Sequence, residues 1–154
     1  MKKINPNLFK SALSKFATGV TIITINENNK FIGKTVNSFA SLSLNPPLIL
    51  FSLDKKSTSL KKYTNCKNIG INILSKKQKS LSNHFSKQSP DWDNTSYFLT
   101  KNKVPMIKNS IANLNCLKKK TISQGDHIIF ICKITDILIT ENNKPLIYLD
   151  SKYI

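Results

Sequence analysis

The sequence predicts an α+β fold that is mainly β, with a few helices at its periphery. Three observations carry this. Leu48 to Leu53 is an uninterrupted apolar run entered through the turn Asn45-Pro46-Pro47, and reads as a buried central strand. Thr18 to Ile25 is rich in β-branched residues, which favour a pleated surface. Helical spacing is confined to short stretches, and no glycine-rich turn follows the first strand. A doubly wound sheet needs regular alternation of strands and helices, and is excluded.

The elements follow in order. Leu8, Phe9, Ala12, Leu13 and Phe16 recur at helical spacing, after an Asn5-Pro6 start suited to a cap and first turn. Thr18 to Ile25 reads as one strand, Asn26 to Lys30 as a polar turn, and Phe31 to Val36 as a short strand. Beyond Leu48 to Leu53, the pattern predicts a helix over Ser57 to Asn65 and a strand over Ile69 to Leu74. Ser75-Lys76-Lys77-Gln78 is a capping-box pattern opening a helix that presents Leu81 and Phe85 four residues apart. Residues 86–110 read as irregular and polar. Ile111 to Ile122, His127 to Thr140 and Pro145 to Tyr148 read as closing strands. Without repeats, low-complexity tracts or linkers, residues 1–154 read as one domain.

Composition narrows the function. Hydrophobic residues make up 40% of the 154, which excludes a disordered chain, and no apolar run reaches the ~20 residues of a membrane span. The start MKKINPNLFKSAL has no signal-peptide core, so a cytoplasmic location is expected. Cys66, Cys116 and Cys132 stand far apart and are odd in number, which favours free buried thiols over a disulfide framework or a zinc knuckle. Hydrolase signatures are missing too: there is no Gly-x-Ser-x-Gly elbow. Net charge is +16, which suggests nucleic acid, yet all 24 basic residues are lysine. Arginine is the better bidentate reader of phosphates and base edges, so a nucleic-acid role ranks low. The charge matches a lysine-, asparagine- and isoleucine-rich composition and a solvated surface that still attracts anionic cofactors.

The most informative segment is Thr35 to Asp54, TVNSFASLSLNPPLILFSLD. Small polar side chains beside an apolar strand suit a site lining, because such groups need hydrogen-bond partners and let a flat ligand come close to the backbone. This segment resembles the flavin-reductase family, small proteins that bind FMN or FAD in a split β-barrel. Phe9 to Thr24, FKSALSKFATGVTIIT, is similar to that family's opening helix and Ala-Thr-Gly-Val strand. Lys55-Lys56-Ser57-Thr58-Ser59 stands where the family has a phosphate-contacting turn. Asn72-Ile73-Leu74, Asn83-His84-Phe85, the Gly-Asp-His segment Gly125 to Ile131, and Pro145 to Tyr148 with Tyr153 follow in family order. The resemblance spans residues 8–153.

It implies a FMN-binding split β-barrel and NAD(P)H:flavin oxidoreductase chemistry, in which hydride passes from nicotinamide to FMN or FAD. The flavin's apolar faces would meet Val36, Leu42 and Leu53, and its polar edge Asn37 and Ser38, within a lining that also takes in Thr35, Ser41 and Ser52. Ser57 and Thr58, flanked by Lys55 and Lys56 at a helix start, would hold the phosphate. Asn72, His84, Phe85 and Tyr153 are further cofactor-binding positions by resemblance. On the residues alone, His127 is a turn histidine backed by Asp126; the resemblance places it near the nicotinamide. In the same way His84 reads as a helix-end residue, and Tyr148 and Tyr153 as packing residues, with Tyr153 otherwise reaching a partner subunit's site. Lys34, Cys132, Asn83 and His84 depart from the family pattern, and the last two put the phosphate contact from their helix in doubt. The resemblance also implies a homodimer and a flavin-dependent monooxygenase as partner. An electron-transfer flavoprotein of the same fold and a basic nucleic-acid-binding module are the alternatives. No metal is expected.

Overall fold

The computed structural model describes residues 3–141 and 143–154. Among these, helices α1 (Pro6–Leu13), α2 (Leu60–Asn65) and α3 (Lys79–Ser86) accompany strands β1 (Thr18–Gly19), β2 (Thr21–Glu27), β3 (Lys30–Val36), β4 (Ala40–Ser43), β5 (Leu48–Asp54), β6 (Asn68–Ile73), β7 (Tyr97–Leu99), β8 (Pro105–Ile107), β9 (Ala112–Gln124), β10 (His127–Ile139), β11 (Ile147–Leu149) and β12 (Lys152–Tyr153). The fold is therefore mainly β. No helix of the described residues is long and apolar enough to cross a membrane.

One antiparallel sheet of order β3-β2-β6-β9-β10-β5-β4 organises the molecule. Its hairpins follow from local chemistry. Asn28 and Asn29 close β2–β3 with φ of 51° and 67°, the left-handed pair that a two-residue turn requires. Gly125 does the same between β9 and β10, at φ 57°. The sheet curls: the hydroxyl of Ser38, just past β3, donates to the Ser52 carbonyl of β5 and accepts from the Ser52 amide, both at 3.0 Å.

The concave side holds the larger core. Ile23, Ile71, Leu114 and Phe51 meet there with the buried Tyr63 of α2. Phe51 and Phe130 are register partners whose rings stack 4.8 Å apart. A second cluster, built from Val20, Ile22, Leu74, Phe85, Ile107 and Leu146, lies on the other side. This is why β2 buries both faces from Thr21 to Ile25. Gly33 is required here, since a Cβ would stand 2.5 Å from the Phe85 ring.

Several expectations are corrected. Thr18 to Ile25 is two strands, because β1 pairs with β11 whereas β2 pairs with β3 and β6. Leu48 to Leu53 is not central: β5 is second from the edge, beside β4, and its residues alternate in burial. The helix expected from Ser57 begins only at Leu60. Residues 57–59 form a turn whose Ser57 amide donates to the Asp54 carbonyl, and the Ser57 and Ser59 hydroxyls bond each other at 3.2 Å. The segment 86–110 is not wholly irregular, since it contains the β7–β8 hairpin. The last short strand, β12, had no separate sequence signal. As expected, the cysteines are free, with Cys116 and Cys132 buried and Cys66 half-buried.

Candidate functional site

Two turns converge at one end of the β5–β10 pair, where Asp54 is the register partner of His127. Lys55, the first residue after β5, ties them together. Its amide donates to the Asp126 carbonyl at 2.9 Å and its ammonium to the Gly125 carbonyl at 2.6 Å. The ammonium is thus directed at the neighbouring turn, and Lys56 is the flanking lysine that lines the space between β3 and β5.

That space is a cavity of about 350 Å³, within the range of small-molecule sites. Val36 and the buried Leu53 give it apolar surface. Thr35, Asn37, Ser38 and Ser52 lie along one stretch of its lining, and Ser57 and Thr58 along another. His127 joins them from β10. Thr35, Val36, Asn37, Ser38, Ser52, Leu53, Ser57, Thr58 and His127, all expected from the sequence, are therefore brought together, from β3 and the two residues after it, β5, the 57–59 turn and β10.

Three hydroxyls in this lining, those of Thr35, Ser38 and Ser57, already have partners. Thr35 donates to the Ser82 carbonyl of α3 at 2.7 Å, and Ser38 clamps Ser52. Lys34 reaches the same helix, donating to the Ser86 carbonyl at 3.2 Å, where a cation complements the negative end of the helix dipole. These bonds hold the wall in place, while the exposed Asn37 side chain and the Thr58 hydroxyl form no hydrogen bond among the described residues.

His127 Nδ1 lies 2.7 Å from the Asp126 carboxylate, which can only accept. The proton therefore sits on Nδ1, and Nε2 is left for the cavity. The hydrogen bond and charge of His127 hold the Asp126 carboxyl below its ordinary value.

The other predicted residues lie elsewhere. Ser41 and Leu42 belong to the edge strand β4, where a bulge leaves Leu42 46% exposed. Asn72 is fully buried with its hydrogen-bonding capacity taken. Its Oδ1 accepts from the Ile107 amide and from Asn113 Nδ2, both at 2.8 Å, and its Nδ2 donates to the Ile22 carbonyl and Thr24 hydroxyl. Phe85 is core. His84 is 2.9 Å from the Asp91 carbonyl, outside the cavity. Tyr153 pairs its hydroxyl with that of Ser82 at 2.9 Å and lines an adjoining cavity that shares Thr35, Val36 and Asn37. Gln88 was missed: it reaches the cavity from the segment after α3, and no motif marks it.

The chain as a whole is similar to known proteins. Residues 13–154 match the flavin reductase like domain. The chain is 35% identical over 130 residues to the FMN reductase (NADH) SmoA of Agrobacterium fabrum, covering 84% of this chain and 75% of that one. It is 31% identical to the NADH-dependent flavin reductase StyB of Pseudomonas fluorescens, covering 97% and 89%. The solved structure of flavin reductase PheA2 in its native state superposes with a TM-score of 0.90 at 38% identity, covering 98% of this chain and 97% of that one. A match over most of the chain, in sequence and in fold together, makes this protein a member of the flavin reductase like domain family.

Proposed function

We propose that the protein is an NAD(P)H:flavin oxidoreductase that reduces FMN or FAD and supplies it to a partner monooxygenase. The observation that carries this is the cavity between β3 and β5, with apolar surface from Val36 and Leu53 and the Ser57–Thr58 turn at its margin. That donor set fits a planar ring with a phosphate tail. Relatives include the reductase subunit HsaB of a flavin-dependent monooxygenase in Mycobacterium tuberculosis, 31% identical over 144 residues.

A bound flavin would supply the redox chemistry, as the acceptor for the nicotinamide's hydride. The chain's residues orient and exclude water. Val36 and Leu53 bound the ring slot, and Asn37 with nearby backbone amides faces the ring's polar edge. Ser57, Thr58 and Lys56 hold the phosphate by hydroxyl and charge. His127, its tautomer set by Asp126, offers Nε2 towards the nicotinamide carboxamide.

The curled sheet is read as the split β-barrel, and the chain as one flavin reductase-like domain. Phe9, Leu13 and Phe16 of the α1 region are 55–75% exposed, and Leu44 beside β4 is 94% exposed. An apolar surface of this kind supports a homodimer. A nicotinamide-dependent reductase acts where that cofactor is held, which supports a cytoplasmic location.

Anaerobic absorbance tests the reading. Protein-dependent bleaching of the flavin band near ~450 nm on adding NADH or NADPH is the expected result. Bound flavin that neither donor bleaches would favour the electron-transfer flavoprotein, and a colourless protein that binds no flavin would reject the assignment.

A further inference from the structure

A second cavity, of about 450 Å³, adjoins the first, and the two share Thr35, Val36 and Asn37. Tyr148 and Tyr153 also line it, register partners on β11 and β12 whose rings meet edge to face 5.3 Å apart. β12 is two residues long and pairs with β11 alone, so little backbone holds Tyr153 in place.

The ring is held instead by α3. Ser82 is fully buried in that helix, and its hydroxyl lies 2.9 Å from the Tyr153 hydroxyl. A serine inside a helix ordinarily bonds the carbonyl one turn earlier or faces water. Among the described residues this hydroxyl has Tyr153 as its only partner. The Lys79 ammonium, one turn before, is 5.8 Å from the centre of the same ring and gives it a second hold. Ser82 also accepts the Thr35 hydroxyl on its carbonyl, at 2.7 Å. One residue therefore fixes a wall that both cavities share, through Thr35, and a wall of the second alone, through Tyr153. The two holds differ in kind: the carbonyl survives a change of side chain, and the hydroxyl does not.

We propose that Ser82 is a positioning residue for the reductase reaction, fixing through Tyr153 the side of the second cavity along which the nicotinamide donor lies. The inference rests on the flavin reading above. A donor whose nicotinamide ring meets the flavin in the first cavity has the rest of its length to place, and the second cavity adjoins at Val36 and Asn37. Tyr153 offers that length an aromatic surface. Because Ser82 has already ordered the ring, the donor is spared that cost on binding.

Steady-state reduction of saturating FMN, by whichever of NADH and NADPH bleaches it, tests this in Ser82→Ala, Tyr153→Phe and the double variant. Each single variant is expected to raise the KM for the donor about fivefold, the effect of one neutral hydrogen bond. Both kcat and FMN affinity should stay within about twofold, because the Ser82 carbonyl still holds Thr35. The double variant should be no worse than either single one, since both remove the same bond. An unchanged KM in the single variants, or losses that multiply in the double one, would overturn the assignment. So would a parallel fall in FMN affinity, which would make Ser82 a support of the flavin wall only. If Ser82→Ala does not fold, Tyr153→Phe, which keeps the ring, decides by the same KM. Unaltered protein that reduces no flavin with either donor would instead remove the functional reading on which the assignment rests.

Discussion

Ser38 and Ser52 exchange two hydrogen bonds through a single hydroxyl, each 3.0 Å long, and so join the segment after β3 to β5. Ser38→Ala removes both and leaves a half-buried amide and carbonyl without that partner. A loss of about 1–3 kcal/mol in stability is expected, with weaker flavin binding, because the cavity wall is no longer held. Urea unfolding and flavin titration check it. Unchanged flavin affinity would show that the clamp does not shape the site.

Asn72 separates a packing role from a binding role. It is fully buried and bonded to three neighbouring strands, β2, β8 and β9. Asn72→Leu should cost about 3 kcal/mol or more, since Asn113 and the Ile107 amide lose their acceptor. Flavin affinity per folded molecule should hold. A selective loss of affinity in a normally stable variant would return Asn72 to the site.

Gly33 makes a complementary prediction. The missing Cβ lets the Phe85 ring lie against β3, so Gly33→Ala forces one of them to move. Overpacking of this kind costs about 1–3 kcal/mol. Because Trp92 lies against the same position, its emission should shift along with the lowered Tm.

Asp126 acts through His127. Its depressed pKa means the folded state favours the carboxylate. The stabilising pair is therefore complete above the ordinary value of 3.8 and is lost only as pH falls through the lower folded value. Asp126→Asn should raise the KM for the nicotinamide cofactor several-fold while flavin affinity is kept. Steady-state kinetics decides this. An unchanged KM would show that the pair does not position His127.

The thiols divide by burial. Loss of solvation lifts Cys116 and Cys132 from 9.0 to about 12, whereas Cys66 is half-buried. Iodoacetamide at pH 8 should label Cys66 first, as peptide mass spectrometry would show. Because the fold holds the other two protons more tightly, stability should decline as pH rises from about 9 towards 12.

The strands were legible because β-branched runs and turn asparagines carry a local signal. Leu48 to Leu53 shows where that signal ends: every residue but Ser52 is apolar, so nothing in the pattern states which side faces the core or which strand lies outside. The neighbour, Ala40–Ser43, has the small polar side chains of a loop and becomes an edge strand only through pairing with β5. Asn72 is similar, since its partners Ile107 and Asn113 lie 35 and 41 residues away. Much of the site was legible because its lining sits in two short, chemically distinctive stretches. Gln88 was not, as its place depends on where the chain returns after α3.

The lashing of Lys55 to Gly125 and Asp126 also constrains how this chain can change over time. Neither turn can gain or lose a residue without dragging the other and skewing the register that sets Asp54 against His127. Length variation in kindred sequences is therefore expected to collect at the exposed Asn28-Asn29 hairpin on the far edge of the sheet, where an added residue alters the local bond from the Asn29 amide to Asn26 and leaves the β5–β10 register alone.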